Sequence, residues 1–111
     1  MIQTGRDLLL AVAEAFEQRP ETWSRGAFAR THNNALSSPN CHDAAKFCVL
    51  GAAYRAVETG HASVAACNVY EVLFKSAIGG GRCSSRSITL WNDTRGRTVA
   101  EVVAMLRKAA A

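Results

Sequence analysis

The chain lacks any apolar run near the roughly 20 residues needed to cross a bilayer; its longest, Leu8 to Ala13 and Cys48 to Ala53, stop far short. The segment after Met1 lacks the basic start of a secretory signal. A soluble cytoplasmic protein with no membrane contact is expected. Glycine and proline together number ten, too few for a fibrous or low-complexity chain. At 49% hydrophobic and 20% charged, the composition excludes disorder. There are no internal repeats and no nucleotide loop, so no cofactor is expected. The four cysteines, with six, eighteen and fifteen residues between them, lack the close pair that opens most structural zinc sites. In a reducing compartment Cys48 and Cys67 are expected as buried thiols.

What is present is one domain, 1–111, of a length that buries a single core. Thr4 and Asp7 begin a helix that carries Leu8, Leu9, Val12 and Phe16 on one stripe and runs to about Arg19. Pro20 interrupts it, and Glu21 to Arg30 could form a short second helix. The polar stretch Thr31 to Asn40 has the composition of a loop. A central helix is predicted over Ala44 to Val57, with Phe47, Leu50, Tyr54 and Val57 recurring at helical steps. Small residues on its other face, Gly51 among them, imply that a neighbouring backbone comes close. A further helix spans about Ala62 to Ser76, with Ala66, Val69, Val72 and Leu73 inward. Arg82 to Arg97, in which Ser87, Ile88, Thr89 and Leu90 alternate, reads as an extended loop or at most a minor hairpin with the chain around residues 31–36. Thr98 and Glu101 form a capping box for the last helix, which ends with Arg107 and Lys108. The predicted fold class is therefore all-α: a compact bundle of four to five helices with one extended Gly/Arg-rich loop.

Two motifs carry a resemblance. Phe47-Cys48-Val49-Leu50-Gly51-Ala52, then Trp91-Asn92-Asp93 followed by Arg97-Thr98 and Glu101-Val102, resemble a family of small uncharacterised proteins from bacteria, notably actinobacteria, and their phages. The likeness covers roughly residue 43 to the end. It implies an all-helical domain and a mobile-element origin, and brings no activity with it.

Three constellations could carry chemistry. Cys48 could serve as nucleophile of a hydrolase or transferase, with His42 or His61 as base and Asn92 or Asp93 as orienting group, since a thiolate needs an imidazole to take its proton. The plainer account has Trp91 filling the core while Asn92 and Asp93 bond backbone groups at the turn that launches the last helix. Cys41-His42-Asp43 is a tight cluster of potential metal ligands on which His32, His61 and Cys83, all in predicted loops, could converge, and helix capping by Asn40 or Asp43 explains it without a metal.

Charge is the third feature. Residues 1–74 carry six Lys or Arg against seven Asp or Glu, whereas residues 75–111 carry seven against two. Arg82, Arg86, Arg95 and Arg97 form the densest basic segment. They suit an acidic protein surface, since arginine is enriched in interface hot spots, or the phosphates of a nucleic acid with Trp91 stacked on a base. No helix-turn-helix or RNA-recognition signature accompanies them. The leading expectation is a small non-enzymatic protein-binding module, a phage or mobile-element accessory that inhibits a host machine such as a defence system through its basic loop. Nucleic-acid binding by the same arginines and Cys48 chemistry are the alternatives.

Overall fold

A computed structural model describes residues 1–79 and 85–111. Helix α1 (Gly5–Gln18) starts where Thr4 accepts a hydrogen bond from the Asp7 N–H, and it buries Leu8, Leu9, Val12, Ala13 and Phe16. Its packing partners are chiefly α3 (Val64–Ala77) and α5 (Val99–Ala110). These contribute Tyr70 and Phe74, and Val102 and Leu106, to one continuous core. Burying each of these large side chains stabilises the fold by about 1.5–3 kcal/mol before the entropy of ordering is set against it.

The all-α expectation is overturned. Strands β1 (Ala29–Thr31), β2 (Leu36–Ser37) and β3 (Ala44–Phe47) form a three-stranded antiparallel sheet in the order β2-β1-β3. Ala29 pairs with both Ser37 and Phe47. The expected helix over Glu21 to Arg30 is instead a 3₁₀ turn, Pro20–Thr22, then an isolated bridge from Trp23 to Phe47 and a bend over residues 25–28 that leads into β1. The expected loop Thr31 to Asn40 contains the β1–β2 hairpin. Asn34 takes a left-handed conformation (φ 69°) in its turn, and the Ala35 N–H bonds to Thr31 Oγ1. An Asn tolerates that conformation better than most side chains. Lys46 of β3 reaches across to Asn34 Oδ1 at 2.6 Å.

The predicted helix over Ala44 to Val57 splits at Cys48. Its first four residues are β3, and only Val49–Glu58 is helical, as α2. The apolar periodicity holds across both pieces, but a strand and a helix share positions in so short a run, and tertiary pairing with β1 decides. The Cys48 N–H bonds to the Phe28 carbonyl, continuing the β1 side of the sheet, while Cys48 Sγ accepts from the Gly51 N–H at 3.2 Å and caps α2. The packing reason expected for Gly51 is present: a Cβ built there would lie 1.7 Å from the Phe28 carbonyl oxygen.

Two further corrections concern the second half. The stretch expected to be an extended loop contains α4 (Ser85–Asn92), whose Ile88 is fully buried. Residues 80–84, including Arg82 and Cys83, lie outside the described residues. In α3 the buried face is Ala66, Cys67, Tyr70 and Phe74, so Val69 and Val72, expected inward, face out. The aromatic side chains outweigh the valines because they bury more area per residue. Among the described residues no helix is long and apolar enough to cross a membrane.

Candidate functional site

Asn92, at the end of α4, is the one fully buried polar side chain in the described core. Its Oδ1 accepts from the Trp23 indole N–H at 2.8 Å and from the Val49 N–H at 3.1 Å. Its Nδ2 donates to the Ser24 carbonyl at 3.1 Å and to Asp93 Oδ1 at 2.9 Å. That last oxygen also accepts from the Gly26 N–H at 3.0 Å. The N–H of Val49 belongs to the first turn of α2, where no helical partner exists, so Asn92 satisfies a donor the helix leaves open. The Tyr70 hydroxyl donates to the Val49 carbonyl at 2.6 Å, and burial raises that phenol well above its ordinary pKa. Asn92 and Asp93 therefore do bond backbone groups, though those of residues 24, 26 and 49 rather than of the turn before α5.

Trp91 is half-buried. Its ring meets Phe74 edge-on, with centroids 5.3 Å apart, and the Arg97 guanidinium lies 3.9 Å from its centroid. Arg97 Nε donates to the Trp91 carbonyl at 3.0 Å, and its Nη1 sits 3.5 Å from Glu101 Oε2. The capping box expected at Thr98 is formed, each partner's side chain accepting from the other's backbone N–H. Arg97 is thus occupied in fastening α5 to α4.

The residues of the nucleophile set are only partly brought together. Cys48 and Asp93 line one cleft of about 270 Å³ with Gly26, Phe28 and Thr89, and Asn92 sits beside it on the Val49 N–H. Cys48 is at the very start of its helix, not inside it as the sequence suggests, yet its thiol is 2% exposed. Burial pushes its pKa up, against smaller lowering contributions from backbone N–H groups. Neither histidine joins it. His61 lies beyond the far end of α2, ten residues or about 15 Å along the axis, and bonds to Thr59 Oγ1. His42 is exposed before β3, whose four residues span about 13 Å.

Cys41 and His42 are exposed, and among the described residues no three His, Cys, Asp or Glu groups come together as metal donors. Of the basic set, Arg86 and Arg95 are exposed on α4 and in the turn after it. Between them Leu90, not singled out as a binding residue by the sequence, is 60% exposed. Its spacing of four from Arg86 on a helix was the available signal, hidden because that segment reads as a loop.

This constellation defines a small helix-and-sheet domain knitted by one buried carboxamide. Residues 2–111 match the model of a family of unknown function, DUF6197, and the chain belongs to that family. No curated protein and no solved structure matches the chain.

Proposed function

We propose that the chain is a non-enzymatic protein-binding module that engages an acidic partner surface through α4 and the turn after it. The observation that carries this reading is Leu90, an exposed apolar anchor one helical turn from Arg86 and ahead of Arg95. An apolar contact bracketed by arginines suits a protein surface, where such residues form hot spots. Nucleic acid is the weaker reading, because the indole that would stack on a base is covered by Arg97 and Phe74. Chemistry at Cys48 is weaker still for want of an imidazole. Arg82 belongs to the same basic segment by its place in the chain. In the finer reading, a phage or mobile-element accessory that inhibits a host defence machine, the origin draws on the likeness of the two sequence motifs and the inhibition on the small size of the chain and its basic segment.

The test is affinity capture from nuclease-treated host lysate with the wild-type chain beside a variant carrying Arg86→Ala, Leu90→Asp and Arg95→Ala, leaving Arg97 in place. A protein retained by wild type and lost with the variant, at nearly unchanged melting temperature, is the expected result. Retention of nucleic acid alone, with steep salt dependence, moves the reading to phosphate binding. Retention of nothing, or equal retention by both chains, overturns it.

A further inference from the structure

A second surface, sharing no residue with α4, lies between α1 and α2. It is an open groove of about 500 Å³, within the range of about 300–1,000 Å³ that holds small ligands. Its walls are Leu8, Ala11, Val12 and Ala15 of α1 and Ala52 and Ala56 of α2. The four alanines fall at i, i+4 spacing on facing helices, where longer side chains would meet and close the gap. The groove runs from Ile2 and His61, which are joined by a backbone hydrogen bond, toward Thr22 and Phe47.

Its charge is of one sign. The ionisable residues lining it are Arg19, Arg55 and His61, with no carboxylate among the lining residues. Arg19 is matched by Glu21 at 3.4 Å. Arg55 is different: its Nη1 donates to the Pro39 and Cys41 carbonyls at 2.9 and 2.6 Å, and its guanidinium lies 5.8 Å from the Phe47 centroid. Among the described residues no carboxylate comes within ion-pair distance of it. A cation is thereby held in place by neutral groups at the wall of an open apolar groove. The chemistry complementary to that pairing is a carboxylate on a linear apolar tail, the head taking the remaining guanidinium donors and the tail covering the alanines.

We infer that the α1–α2 groove binds a free medium-chain alkanoate, with Arg55 holding the carboxylate. Titration calorimetry and amide NMR shifts with decanoate, kept below micelle formation, test it. Decanoate should bind and shift the amides of α1 and α2; decanol and decyltrimethylammonium should bind at least tenfold more weakly, since a charge-assisted hydrogen bond is lost. Ala15→Trp, which places an indole across the open groove from an exposed position, should abolish binding. Arg55→Gln should weaken it about tenfold or more while Arg55→Lys retains part, with circular dichroism checking the fold of each. The inference is overturned by absent decanoate binding at millimolar concentration, by equal binding of decanol, or by an Ala15→Trp variant that binds unchanged. Binding only to phosphatidylglycerol vesicles, or a dimer that Ala15→Trp dissolves and decanoate does not, assigns the groove to another occupant and also overturns it.

Discussion

The indole N–H of Trp23 and the carboxamide oxygen of Asn92 lie 2.8 Å apart, 69 positions from one another in the chain. That contact ties the segment entering the sheet to the end of α4, and the same carboxamide holds the first N–H of α2 and the Ser24 carbonyl. Three parts of the fold are therefore referred to one side chain of four hydrogen-bonding positions.

Asn92→Ala should be among the most destabilising single substitutions in the protein. It leaves an indole N–H, a helix N–H and a carbonyl without partners, each costing about 1–3 kcal/mol when buried, with the total non-additive. A loss of about 3 kcal/mol or more in urea denaturation is expected. Asn92→Asp should do no better, because a second acceptor would then face the Ser24 carbonyl and Asp93 Oδ1. A loss below about 1 kcal/mol for Asn92→Ala would show that the network does not hold the fold.

Gly51→Ala separates two opposing effects by sign. Intrinsic propensity favours alanine within a helix by about 1 kcal/mol. Here the added methyl would stand 1.7 Å from the Phe28 carbonyl oxygen, and the atom in the way is backbone that itself accepts the Cys48 N–H. The variant should melt well below wild type. A higher melting temperature would mean that α2 does not rest on the chain leading into β1.

The helices whose termini are written locally were legible: Thr4 with Asp7, and Thr98 with Glu101, specify α1 and α5 without reference to the rest of the fold. The sheet was not, because β1 and β2 have three and two residues and derive their pairing from long-range bonds rather than from alternation. Ala44 to Phe47 continues the apolar period of α2, so only the cap at Cys48 marks the boundary, and cysteine is not a residue from which caps are read. The Trp91-Asn92-Asp93 motif stood out in the sequence, but its partners at Trp23, Ser24, Gly26 and Val49 did not, since nothing local announces them.

The described thiols should divide sharply in reactivity. Cys41 is exposed, whereas burial raises Cys48, and raises Cys67 to about 11. Against an ordinary thiol near 8.5, that shift lowers the thiolate fraction of Cys67 at neutral pH by about a hundredfold or more, before any steric exclusion. Peptide mapping after iodoacetamide should find Cys41 alkylated first, with Cys48 and Cys67 modified only on unfolding. Fast alkylation of Cys48 in the native state would revive the nucleophile reading.

Acid should weaken the clasp between the chain's two terminal helices. The Arg107 guanidinium meets both oxygens of Glu17, at 2.8 and 2.6 Å, joining α5 to α1, and this hydrogen bonding holds the Glu17 carboxyl below its ordinary pKa. Glu101 is lowered chiefly by the Thr98 backbone N–H. Because both folded-state values are depressed, their contribution is present above the unfolded glutamate value of about 4.3 and is lost as pH falls through the folded values. Both groups are exposed, so the effect is screened and falls with salt. The melting temperature should therefore decline between about pH 5 and pH 3, and the decline should be shallower in a Glu17→Gln, Glu101→Gln double variant that starts lower. An identical slope in the two proteins would locate acid sensitivity elsewhere in the fold.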